Sequence, residues 1–181
     1  MVRAILAGTK TQTRRVVKPQ PMYETTSQGV RWSRWRGQGM TDPEGIKKCL
    51  PPNCQYGQPG DRLWVRETFL TRCAGEFTCY RADAGLVEAA GFGAMYGGWT
   101  PSIFMPRARS RITLEVTGVR VERLREISAS DAWAEGVPHS PDVDPVHEYQ
   151  DIWESINGAD SWDSNPWVWV VEFAYLKGDE G

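Results

Sequence analysis

Lys10, Thr13 and the arginines that follow them are the residues of this chain whose types and spacing best suit chemistry. The stretch Ile5-Leu6-Ala7-Gly8-Thr9-Lys10-Thr11-Gln12-Thr13-Arg14-Arg15 sets one ammonium, three threonine hydroxyls and two guanidinium groups just after a short apolar segment. Hydroxyls beside cations suit contact with an anion or a nucleotide. A threonine becomes a nucleophile only when a neighbour takes its proton, and a lysine serves as that base only when burial or a nearby cation lowers its pKa. Lys10 and Thr13 meet on a helical turn and oppose one another on a flat strand. Gly8 permits a bend, and two solvated loop residues are the plain alternative. Glu135 adds a second clue. It falls at the predicted end of a helix, where the helix dipole disfavours a carboxylate unless a cation such as Lys10 offsets it. An exposed glutamate tolerated at a helix end is the competing reading. Arg14, Arg15, Arg66, Arg107, Arg109 and Arg111 are candidates for a phosphate-facing patch or, more plainly, solvated faces. Neither a phosphate-binding glycine loop nor the serine-hydrolase or zinc-protease motifs occur.

The elements that must position these groups are partly readable. Val2 to Ala7 has helical spacing with Gly8 as its stop, and Thr13 to Lys18 is a short strand ended by Pro19. Residues 19–60, dense in proline and glycine, are expected to be one long irregular insertion. Pro59-Gly60-Asp61 marks a turn into a strand over Arg62 to Phe69, with Glu76 to Ala82 as its partner and loop through 83–110. Arg111 to Leu124 is the clearest β region, with Gly118 permitting a bulge. Ser128 and Asp131 form a capping box for a helix stopped by Gly136 and Pro138. Asp144-Pro145 opens a second helix with Val146, Tyr149, Ile152, Trp153 and Ile156 on one face, closed at Asn157-Gly158. Trp167 to Tyr175 is apolar on both faces and so is expected at the centre of a sheet. The order predicts a small α+β barrel.

The totals bound the rest. The 181 residues suit a single domain, and 21 basic against 23 acidic residues exclude bulk electrostatic binding of nucleic acid. No apolar run is long enough to span a bilayer and no signal peptide is evident, so a soluble, cytoplasmic protein is expected. Cys49, Cys54, Cys73 and Cys79 are spaced more loosely than most zinc pairs and are read as free thiols, a structural zinc site being the weaker option. Neither a metal nor a cofactor is called for. Nine tryptophans exceed what one small core holds, so some are expected to line a cleft and stack on flat ligands.

Gly8-x-Lys10-x-x-Thr13-x-Arg15 resembles the signature of the ASCH domain, a member of the PUA-like superfamily. The segments Gly57 to Phe69, Pro101 to Arg107 and Asn165 to Val170 look like its larger, prophage-encoded branch, so the similarity spans most of the chain. The resemblance implies a small PUA-like mixed β-barrel over residues 1–181, with two or three helices at one end and insertions at about 19–60 and 83–110. It also implies a cleft for RNA or a modified nucleoside. Compact bacterial members are amidohydrolases that remove the acetyl group of N4-acetylcytidine with a Thr-Lys-Glu set. Carried onto this chain, that set falls on Thr13, Lys10 and Glu135. Arg15 and nearby main-chain N–H groups would face the oxyanion, and Arg14, Arg15, Trp64, Arg66, Glu67 and Arg107 would contact the nucleoside or nucleic acid. Relatives generally carry a leading segment that supplies a first strand, so an unpaired sheet edge is expected here. The alternatives are a non-catalytic module binding RNA or a modified base, a ribonuclease, and a phage structural protein.

Overall fold

A computed structural model describes residues 1–21, 23–26, 29–32, 43–72, 77–83, 85, 98–140 and 142–177. Cys73, Trp35, Glu76, Gly91, Gly93 and Gly97 lie outside them.

The architecture is α+β and barrel-like, built on a curled, antiparallel half-barrel sheet with a few short helices. Helix α1 (Val2–Leu6) ends at Gly8, whose φ of 74° no β-carbon-bearing residue adopts cheaply. Strand β1 (Gln12–Val16) follows, then a hairpin of β2 (Tyr23–Thr26) and β3 (Gly29–Trp32), and helix α2 (Pro43–Cys49). After β4 (Arg62–Trp64) come a second hairpin, β5 (Phe69–Arg72) and β6 (Phe77–Tyr80), and the long strand β7 (Thr113–Arg123). Helices α3 (Ala129–Ala134) and α4 (Pro145–Asn157) precede the last strand, β8 (Trp167–Leu176). The four-stranded sheet has the order β1-β8-β7-β4, which leaves β1 on an edge and β8 inside. Burial of all five residues Trp167 to Val171 follows from that interior place. A register shift between Val116 and Gly118 marks the bulge expected at Gly118.

The two faces of the sheet are covered separately. Val17, Trp169 and Val171 face Ile46, Leu50 and Cys54, whereas Val168 and Val170 face Ala132, Val137, Tyr149, Trp153 and Trp162 from the α3–α4 side. Both helices have the ends the sequence specifies. The Ser128 hydroxyl accepts from the Asp131 N–H at 3.1 Å while the Asp131 carboxylate accepts from the Ser128 N–H at 3.2 Å. Asp144 accepts from the Val146 N–H at 2.9 Å, with Pro145 at the first helical position.

Three expectations change. Residues 19–60 are not one irregular insertion, since they hold the β2–β3 hairpin and α2, whose Ile46 is fully buried. The strand expected over Arg62 to Phe69 stops at Trp64, and Phe69 begins a separate hairpin whose partner is β6. The physical reason is Glu67. A continuous strand would carry this carboxylate into an apolar layer, whereas the irregular path lets Arg111 bracket it with bonds of 3.0 and 3.1 Å. Lastly, the apolar face of α4 is not wholly covered, because Tyr149 and Trp153 are buried but Ile152 and Ile156 are 41% and 68% exposed.

Candidate functional site

Lys10 and Glu135 lie 125 residues apart in sequence and meet as a buried ion pair. Their segments are held together by main-chain bonds. Lys10 and Glu135 form an isolated antiparallel bridge, and the Thr11 N–H donates to the Ala134 carbonyl at 2.8 Å. Lys10 Nζ donates to the Glu135 carboxylate at 2.8 Å and to the Glu135 main-chain oxygen at 2.6 Å. That carbonyl is one of the uncompensated oxygens at the end of α3, so the ammonium satisfies both the carboxylate and the negative end of the helix. Gly136 is what permits the approach. Its φ is 91°, and a β-carbon there would sit 3.1 Å from Lys10 Cβ and 3.3 Å from Ala4 Cβ. Burial depresses the Lys10 pKa below the ordinary lysine value, with Arg15 and Arg14 adding to the effect and Glu135 opposing it. A lysine so placed has more of its free-amine form near neutrality than an exposed one.

Arg14 anchors the pair from beside it. Its side chain is fully buried and reaches Glu135 at 3.3 Å, Asp131 at 3.4 Å and Glu122 at 2.5 Å, with its guanidinium 5.9 Å from the centre of the Tyr149 ring. Arg120 continues the network across the sheet to Asp131, Glu122 and Glu172. Burial pushes the Asp131 pKa upward, but hydrogen bonds from Ser128 and Gln12 and the Arg14 charge outweigh it and bring the value down to about 2.

Above the pair lies a cavity of about 270 Å³ whose lining includes Lys10, Thr13, Arg15, Glu135 and Tyr149. Its mouth is apolar: Met1, Ile152 and Ile156, each with substantial exposure, border it. Thr13 is brought to the same lining but makes no hydrogen bond to Lys10 or Glu135. Its register partner is Val171, on the opposite face of the sheet from Val170, the partner of Arg14. The flanking bonds from Phe173 N–H to Thr11 and from Val17 N–H to Trp167 turn the main-chain groups of Arg14 and Val16 away from β8, towards the open edge. Arg15 is exposed at the rim, and among the described residues its guanidinium hydrogen-bonds to the Arg14 carbonyl alone, at 3.4 Å.

The remaining expected contacts divide. Trp64, Arg66 and Arg107 form a group of their own, the two guanidinium carbons lying 4.8 and 5.8 Å from the Trp64 ring centre, and none of them lines the cavity. Glu67 is 1% exposed, locked to Arg111 and absent from the lining of this cavity. Arg14 cannot meet an exposed phosphate, because three carboxylates occupy it. Trp153, Trp162, Trp167 and Trp169 fill core, and of these only Trp153 also borders the cavity. Tyr149, like Ile152, Trp153 and Ile156 of the same helix face, lines the cavity although the sequence pattern assigns it to packing; its phenol is the signal that sets it apart from the aliphatic residues of that face. Cys49, Cys54 and Cys79 are free thiols, and among the described residues no cluster of three or more His, Cys, Asp or Glu is arranged to hold a metal. No helix among them is long and apolar enough to cross a membrane. The chain matches no protein-family model, no curated protein and no solved structure.

Proposed function

We propose that the chain is an ASCH-type amidohydrolase that removes an acyl group from the exocyclic nitrogen of a modified base, with N4-acetylcytidine as the model substrate. The observation that carries this reading is the buried Lys10–Glu135 pair beneath a cavity that Thr13 also lines. The cavity volume, about 270 Å³, is at the small end for ligand pockets and suits a base or nucleoside rather than a polynucleotide. In the proposed reaction, the free-amine form of Lys10 takes the Thr13 proton as Thr13 Oγ1 attacks the amide carbonyl. The C–N bond breaks, the amine leaves with the proton held by Lys10, and water hydrolyses the acyl-threonine ester. Glu135 holds Lys10 in place throughout. General bases commonly close on their nucleophile only once substrate is bound, so the open Thr13–Lys10 geometry is compatible with this sequence.

The test is cytidine release from N4-acetylcytidine by the purified protein, with Thr13→Ala as control. Release that the substitution abolishes supports the reading; no release by the unsubstituted protein, or full activity in the variant, rejects it. A second reading is favoured by the Thr13 register, which points its side chain to the other face of the sheet from Arg14. On that reading the cavity binds a modified base, free or in RNA, without cleaving it, and Thr13→Ala leaves affinity unchanged.

A further inference from the structure

We propose that the Tyr149 hydroxyl is the hydrogen-bond donor with which this cavity holds the carbonyl oxygen of the acyl group. The proposal rests on the amide-hydrolysis reading and adds to it a residue that the Thr-Lys-Glu set does not contain. Among the described residues, Thr13 of β1 and Tyr149 of α4 are the hydroxyl-bearing residues of the cavity lining, and neither hydroxyl has a hydrogen-bond partner there. Among the other polar groups of the lining, the buried Trp153 Nε1 and Arg14 Nε also lack a partner but belong to no hydroxyl, and the rest are engaged. Lys10 bonds to Glu135, Arg14 bonds to Glu122, Asp131 and Glu135, and the exposed Asn157 amide donates to the Trp153 carbonyl at 3.0 Å.

Tyr149 is 5% exposed, and its ring is fixed by neighbours rather than by its hydroxyl. Trp153 packs at 6.2 Å and Trp162 edge-on at 6.3 Å between ring centres, and the Arg14 guanidinium lies over the ring. The hydroxyl oxygen itself is not among the fully buried unpartnered atoms, so water or a ligand can reach it and supply the acceptor that the protein does not. Burial, together with the negative charges of Glu135 and Glu122, raises the Tyr149 pKa against the pull of Arg14 and Arg15. The group therefore keeps its proton and can donate, but cannot serve as a base.

In the step, Thr13 Oγ1 adds to the carbonyl carbon and its proton passes to Lys10. The C=O π electrons move onto oxygen, where Tyr149 O–H donates to the developing charge. Collapse restores the carbonyl, breaks the C–N bond and returns the Lys10 proton to the amine. A donor aimed at an oxyanion is worth about 10²–10³-fold in kcat.

The experiment uses Tyr149→Phe, which keeps the ring and its packing. Thermal melting should be unchanged or slightly raised, and kcat for N4-acetylcytidine should fall by about 10²–10³-fold with KM changed much less. Binding without turnover is read by titrating Thr13→Ala, with and without Tyr149→Phe, against N4-acetylcytidine and against cytidine. Affinity should drop about tenfold for the acetylated ligand and stay level for cytidine, which lacks the acetyl carbonyl. Equal loss for both ligands, no loss for either, or no binding at all overturns the proposal. If the unsubstituted protein releases no cytidine while the selective loss persists, amide hydrolysis fails and the Tyr149 contact stands.

Discussion

Replacing Glu135 by glutamine removes one buried negative charge while keeping a side-chain acceptor in its place. Lys10 Nζ retains the residue 135 main-chain oxygen at 2.6 Å, and Arg14 retains Glu122 and Asp131. What disappears is compensation for an ammonium whose side chain is 6% exposed. Breaking a buried pair by removing one partner costs about 3–5 kcal/mol, and the surviving hydrogen bonds place Glu135→Gln at the lower end, about 3 kcal/mol. For a chain of 181 residues each kcal/mol shifts Tm by about 2–4 °C, so the expected fall near neutral pH is roughly 6–12 °C. The pH dependence follows from the depressed Lys10 pKa. Below its folded-state pKa the lysine is charged in both states, and the cost of burying that charge is present in full. As pH rises through the folded value towards the ordinary 10.5, the folded protein loses the proton before the unfolded chain does, and stability climbs. Without Glu135 the folded value falls further, so the climb begins at lower pH. Urea denaturation of both proteins from about pH 7 to about pH 10 should show a gap that narrows as pH rises. A variant as stable as the parent at neutral pH, or a gap of constant size, would refute the reasoning.

Other substitutions probe the surroundings of the pair. The Asp131 pKa, lowered to about 2, contributes stability that is complete above the ordinary 3.8 and lost as pH falls through about 2; Asp131→Asn should flatten that acid limb in a pH series of melting curves. Gly136→Ala forces a β-carbon against Lys10 and Ala4 at a φ of 91°, so it should cost about 1–3 kcal/mol in urea denaturation and weaken the Lys10–Glu135 contact. Ser128→Ala removes the α3 cap at a cost of about 1 kcal/mol, measured the same way, and leaves ligand affinity in the cavity unchanged.

The sequence was most legible where local chemistry decides the outcome. The unbroken apolar run from Trp167 requires a central strand, Gly118 admits a bulge, and Ser128 with Asp131 fixes a helix start. The approach of Lys10 to Glu135 was foreshadowed by an electrostatic mismatch, a carboxylate at the negative end of a helix. Long-range pairings were not legible. Glu67 breaks the strand after Trp64 because Arg111, 44 residues later, completes its burial, and no local pattern announces such a partner. The burial of Arg14 depends in the same way on three carboxylates from two distant segments, β7 and α3 with its C-cap. Proline and glycine density between residues 19 and 60 concealed α2, whose Ile46 and the following Leu50 are fully buried in core. Helical periodicity placed Ile152 and Ile156 beside Tyr149, but periodicity cannot say which part of a face a neighbour covers and which borders a cavity.

The initial rate of cytidine release from N4-acetylcytidine, compared between the parent protein and Lys10→Met at matched folded fraction, addresses the central claim most directly. If Lys10 moves the proton of the reaction, the parent turns over and the variant loses about 10²–10⁴-fold in kcat. A parent protein that releases no cytidine, or a Lys10→Met protein that keeps the parent rate, contradicts it.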